Sequence, residues 1–165
     1  MAELTVLESK LAEVLGLAQA AQGATEKVQG MLDADEQQLA SQLERMREEA
    51  AATEERCTEV AGELDGKKTA IIEKAREVKQ EATEMMQTYL EGEDEALDGF
   101  EFLTMAEAGE VGHWKIVDKL NEKAGITAVG ALAQWALPIQ ERHLADVLEG
   151  SLALASQEDP NEIEE

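Results

Sequence analysis

Aromatic side chains make up 3% of this 165-residue chain, which also has two prolines and one cysteine. Each scarcity removes a class of answer. Strands draw on aromatic and β-branched residues for their half-buried faces, so the low aromatic content argues against a sheet protein. A lone cysteine, Cys57, has no intrachain partner, which excludes a disulfide framework. No apolar run approaches the roughly 20 residues that cross a bilayer. The opening residues Met-Ala-Glu-Leu-Thr-Val-Leu-Glu lack the basic start and apolar stretch of a secretion signal, so a cytoplasmic location is expected. Basic residues are also few: 14 Lys and Arg stand against 37 Asp and Glu, for a net charge of −23. Such a surface repels polyphosphates and anionic lipid, and predicts neither a nucleic-acid nor a membrane partner.

What is plentiful is Ala, Leu, Glu, Gln, Lys, Arg and Met, the strong helix formers. The expectation is an all-α protein: one antiparallel helical bundle over residues 1–156 and an acidic, disordered tail over 157–165. About five helices can be read from apolar periodicity. The first covers 3–21, with Leu4, Leu7, Leu11, Val14 and Ala18 in one stripe. Gln22-Gly23-Ala24 ends it, and Thr25 is placed to cap the next. The second covers 26–64 and is unusually long. Its seam of Val28, Leu32, Asp35, Leu39, Gln42, Met46, Ala50, Thr53, Cys57, Val60 and Leu64 alternates spacings of three and four, as in a coiled coil.

The third helix covers 67–90, with Ile71, Ala75, Val78, Ala82, Met85, Met86 and Tyr89 on one face. The fourth covers 94–124 and the fifth 128–156, joined by a turn in which Gly125 follows the last helical residue and Thr127 caps the next helix. Gly109 and Gly112, inside the fourth, point to close helix–helix approach. Pro138 is expected to kink the fifth helix or to start a shorter one. That helix has two apolar faces, one with Leu132, Ile139, His143, Val147 and Leu154, the other with Leu137, Leu144, Leu148 and Leu152. A helix apolar on two sides is central or lies at a subunit interface, and a homodimer is expected.

The chain's two histidines, His113 and His143, fall on the last two helices, each with a carboxylate one turn away: Glu110 before His113, and Asp146 after His143. Carboxylate and imidazole at i, i+3 on facing helices are how four-helix bundles hold iron or manganese. In a hairpin turning near residue 126, levels match where residue numbers sum to about 253, which sets Glu110 opposite His143 and Glu107 opposite Asp146. Asp35 interrupts the second helix's seam, and a turn near residue 23 brings Glu8 to its level, so these two are outer candidates. A hydrogen-bonded Glu–His pair without metal satisfies the same pattern, and Asp35 serves equally as a register-setting polar residue. The methionines Met31, Met46, Met85, Met86 and Met105 read as core filler, and Cys57 as an inert buried thiol. Neither a nucleophile motif nor a Gly-rich phosphate loop is present.

The stretch Ala106-Glu107-Ala108-Gly109-Glu110-Val111-Gly112-His113-Trp114-Lys115-Ile116 resembles the penultimate-helix motif of the YciE-type, stress-associated branch of the ferritin-like superfamily. Leu137-Pro138-Ile139-Gln140-Glu141-Arg142-His143-Leu144-Ala145-Asp146 is similar to that branch's last-helix segment. A Cys near the end of a long second helix fits the same pattern. The resemblance implies a ferritin-like bundle in a stress-related role, binding Fe or Mn, with a metal-dependent oxidase or peroxidase-like activity if the site is active. Lys115 stands where the pattern has Glu, Gln140 replaces an acidic residue, and the first hairpin has no Glu-x-x-His. With those carboxylates gone, the resemblance implies at most a single-metal site, or a non-catalytic interaction or scaffold protein with a metal-free core.

Overall fold

The computed structural model describes residues 2–164, and Met1 and Glu165, the outermost residues of the expected bundle and acidic tail, lie outside it. Five α-helices follow in order: α1 (Val6–Gln29), α2 (Gln37–Glu63), α3 (Lys68–Tyr89), α4 (Ala96–Ala124) and α5 (Thr127–Ala155). No strand occurs among the described residues, and no helix there is long and apolar enough to cross a membrane.

The first two helices differ from expectation at their junction. α1 starts in a capping box, with the Thr5 hydroxyl accepting from Glu8 N–H and the Glu8 carboxylate accepting from Thr5 N–H. It then runs straight through Gly23. A mid-helix glycine costs about 1 kcal/mol, but continuing buries Ala24, Thr25 and Val28, whose apolar contacts outweigh it. Thr25 caps nothing: its hydroxyl donates back to the Ala21 and Gln22 carbonyls. The turn therefore falls at residues 30–36 and α2 shortens to 27 residues, not longer than α4 and α5 at 29 each.

The later elements follow some of their sequence signals and not others: Ile126, not Thr127, stands at the cap position of α5, without a side-chain cap hydrogen bond, and Thr127 is the first residue of the helix. Gly125 closes α4 in the left-handed conformation, φ 66°, where a side chain would be strained. The Asn121 side chain then clasps the Ile126 backbone through both its N–H and its C=O. α5 passes through Pro138 without a break in helix, with that proline exposed. Beyond α5, residues 156–164 form turns and no helix.

Cross-helix contacts give the arrangement. Lys67 at the α2–α3 junction meets Glu8 near the start of α1, while Gln22 farther along meets Glu54, so α1 and α2 run oppositely. Thr104 pairs with Ser151 and Lys115 with Glu141, so α4 and α5 also run oppositely. α1 packs on α4, and α2 on α5, which makes a ring of α1, α2, α5 and α4. α3 lies outside the ring, mainly against α1. They meet where Gly16 faces Ala75 and Val78; a Cβ at Gly16 would stand 2.5 Å from the Ala75 carbonyl oxygen. The expected close approaches at Gly109 and Gly112 do not occur, since a Cβ there meets nothing within 4 Å.

The core falls into two apolar clusters. One surrounds Leu11, Leu15, Cys57, Ile71, Trp114 and Leu132 near the α4–α5 turn. The other surrounds Val28, Leu43, Met46, Phe100, Leu103 and Val147 toward the α1–α2 loop. On α4 and α5 the buried residues between these clusters include Glu107, Glu110, Gln140 and His143.

Candidate functional site

That polar layer is built by three helices. Glu107 and Glu110 are one turn apart on α4, so both carboxyls reach the same side of the helix. Gln140 and His143 stand in the same relation on α5. Glu49 comes from α2, at i+3 from Met46 and i−4 from Thr53, on the flank of the face that α2 buries.

His143 is 2% exposed and lies between two carboxylates. Its Nε2 is 3.3 Å from Glu49 Oε1, and its Nδ1 is 3.7 Å from Glu107 Oε2. The second distance is too long for a hydrogen bond, and among the described residues no N–H or hydroxyl reaches the buried Glu107 Oε2; the donor beside Glu107 is the Glu110 carboxyl. Gln140 Oε1 and Arg142 Nε are buried without a partner. The Arg142 guanidinium reaches Glu49 through its Nη2. Partnerless buried polar atoms on neighbouring residues are unusual in a folded core, where nearly all such atoms are paired.

The acids feel opposite fields. Burial pushes the Glu110 carboxyl well above the ordinary carboxylate range, and the adjacent Glu107 adds to the rise, so Glu110 holds its proton. Burial acts against the Glu49 charge too, but hydrogen bonds and charge from Arg142 and His143 outweigh it and bring that group below its usual value. Glu49 keeps 22% of its side chain exposed, so the layer reaches solvent at this point. Thr53 is buried beside it but donates to its own helix at the Glu49 carbonyl, which leaves it no ligand role.

The structure brings together Glu107, Glu110 and His143 of the expected set, and leaves the others apart. On α4, Glu107 and not Glu110 is the carboxylate that meets His143, one turn from the level estimate. Matching levels fix position along the axis, while the direction of each side chain around the helix decides the contact. His113 turns outward. Its Nδ1–H donates to the Gly109 carbonyl at 2.7 Å, its Nε2 is 3.6 Å from Glu13, and 38% of its side chain is exposed. Asp146 is half-buried on α5, and among the described residues no hydrogen bond or ion pair ties it to the cluster. Glu8 serves the α1 cap and pairs with Lys67; although burial opposes its charge, the Thr5 backbone and Lys67 hold it below the usual range.

Asp35 sits in the exposed α1–α2 loop, because the turn falls there and not near residue 23. With Asp33 and Glu36 it forms the one group among the described residues whose three donor atoms lie mutually within 4.8 Å. Those side chains are mostly exposed, and such acidic groups are common without an ion. Glu49 is the residue that sequence reasoning missed. Its place in the series 46, 49, 50, 53 was a usable signal, hidden by the run of glutamates around it.

Cys57 is fully buried, and burial, with the charge of Glu54, pushes its thiol up to about 12, in keeping with an inert residue. Beside the polar layer, between α1, α3 and α4, is a cavity of about 270 Å³. Glu107, Glu110 and His113 are among its lining residues. No protein-family model matches this chain, and no curated protein or solved structure does.

Proposed function

We propose that this chain is a ferritin-like bundle that binds a single divalent ion, Fe(II) or Mn(II), in the polar layer formed by Glu107, Glu110, His143 and Glu49. The observation that carries the reading is the buried Glu107–Glu110 pair: among the described residues no N–H or hydroxyl reaches Glu107 Oε2, the imidazole facing it is too far away to donate, and the donor beside Glu107 is the Glu110 carboxyl. Two acids buried together cost several kcal/mol unless a proton or a cation joins them, and a cation would take the place that the Glu110 proton holds. Carboxylate oxygens with one imidazole nitrogen suit a first-row divalent ion. The ring of α1, α2, α5 and α4, with α3 in the long α2-to-α4 connection, is compatible with a ferritin-like order. Gln140 supplies an amide where a second carboxylate would supply charge, which supports one ion and not two.

A bound iron or manganese ion supplies one-electron chemistry toward oxygen or peroxide. The chain's own residues supply the rest. Glu107 and Glu110 would hold the ion and supply the compensating charge. His143 stands between Glu107 and the partly exposed Glu49 and is the one imidazole that would help to hold the ion.

A second reading has its own support. Among Glu49, Glu107, Glu110 and His143, no three donor atoms lie mutually within 4.8 Å. Arg142 and His143 already satisfy Glu49. The layer is then a metal-free polar core in an interaction protein, and the exposed Leu148 and Leu152 on α5 mark the face for a second copy. Anaerobic reconstitution with Fe(II) or Mn(II), followed by elemental analysis, separates the two. The metal reading expects about one equivalent per chain, lost in Glu107→Gln and His143→Ala. Less than about a tenth of an equivalent in the wild-type protein supports the metal-free reading.

A further inference from the structure

We infer that the cavity between α1, α3 and α4 binds a small apolar amine, whose ammonium group is taken by the Glu107–Glu110 pair. The cavity exists because α3 and α4 both lean on α1 yet hardly meet each other. Its walls are apolar, with Leu17, Met86, Phe102 and Leu103 inside and Met85 and Met105 at the edge. Met85 and Met105 are 64% and 51% exposed, and flexible thioethers of this kind can adapt to a guest. At about 270 Å³ the cavity is larger than the roughly 150 Å³ apolar cavity that holds benzene in another protein.

The ionisable residues around it specify the guest's polar end. Glu107, Glu110 and His113 line the cavity, and Glu81 and Glu84 line the adjoining groove that shares Met85, Phe102 and Met105. Neither space is lined by Lys or Arg, so a fatty acid would bring its carboxylate among carboxyls. A plain hydrocarbon would leave the acids unanswered. An ammonium carries three donors and a positive charge, matching the two buried acids, Glu107 and Glu110, in the cavity wall. The chain's net charge of −23 also concentrates organic cations near the entrance.

The inference uses the acid pair from the cavity side and does not rest on the metal reading. Its test is run in chelator, so either can fail while the other stands. The full-length protein is titrated calorimetrically with octylamine, octan-1-ol and octanoate at neutral pH and physiological salt. One octylamine site is expected, at least about tenfold tighter than octan-1-ol, with no binding of octanoate. Glu107→Gln should weaken octylamine about tenfold or more and leave octan-1-ol unchanged. If circular dichroism shows that this variant is unfolded, Glu107→Asp takes its place, with a smaller loss expected in the same direction.

Gly109→Leu is the spatial control. Its Cβ starts in open space beside the cavity, leucine favours helix, and the added side chain should block octylamine and octan-1-ol alike. Equal affinity for octylamine and octan-1-ol overturns the inference, as does preferred binding of octanoate. Octylamine binding that survives Gly109→Leu unchanged also overturns it, by placing the amine on the acidic surface instead.

Discussion

The two halves of the core differ in how they are closed. Around Trp114 the bundle is sealed: Leu11, Leu15, Cys57, Ile71 and Ala75 have no exposure, and α3 lies close on α1 at Gly16. Around Phe102 it is open. Met86 is near the limit of burial, Met85, Tyr89 and Met105 face solvent, and the space between α3 and α4 is a cavity. The polar layer lies where these halves meet. One half therefore has the packing to hold the fold, and the other has the slack to admit a ligand beside buried acids.

The largest effects should come from cutting into the sealed half. Trp114→Ala is expected to cost about 3–5 kcal/mol by urea denaturation. Phe102→Ala, whose ring already borders empty space, should cost about 2–3 kcal/mol. Equal losses would show that the two halves are equally tight. Helix approach gives a smaller contrast. Gly16→Val drives a branched side chain into Ala75 and Val78 and should cost about 1–3 kcal/mol. Gly109→Ala meets nothing, and should stabilise by about 0.5–1 kcal/mol through helix propensity alone.

The pH dependence gives a finer test. The folded-state value of Glu110 is raised above the ordinary 4.5, so the native state holds this proton more tightly than the unfolded chain does. Its contribution is fully present below 4.5 and is lost as pH rises toward its folded value. Glu49, with its value lowered, has the opposite slope: its contribution is present above 4.5 and lost as pH falls through its folded value. Glu110→Gln should therefore gain in stability relative to wild type as pH rises above 4.5, followed by the urea midpoint. A midpoint difference that does not change with pH would show that Glu110 is ionised in the folded protein.

The α4–α5 hairpin was legible because its turn is written locally. Gly125 can take positive φ, and the apolar spacing on either side has one helical period. The α1–α2 junction was not, because the local signal was misleading. Gly23 followed by Thr25 reads as a stop and a cap, but tertiary burial of Ala24 and Val28 carries the helix through both. That single shift removes Asp35 from the seam and takes Glu8 to Lys67. The candidate site divides the same way. The buried faces bearing Glu107, Glu110 and His143 follow from helical periodicity. The rotation of His113 outward, the nearest carboxylate to His143 and the entry of Glu49 depend on how the helices turn against each other. Periodicity within one helix does not encode that. The cavity was illegible for the same reason, since it is a gap between α3 and α4 and belongs to neither.

On the proposed function, the polar layer weakens the fold and serves binding. Glu110→Leu tests it most directly, by comparing urea midpoints of wild type and variant in chelator and then with Mn(II). The account predicts that the metal-free variant is the more stable protein, since an apolar side chain of similar size replaces a buried acid, and that Mn(II) stabilises only wild type. A variant less stable than wild type in chelator, with no effect of Mn(II) on either, would contradict it and make the layer a structural part of the core.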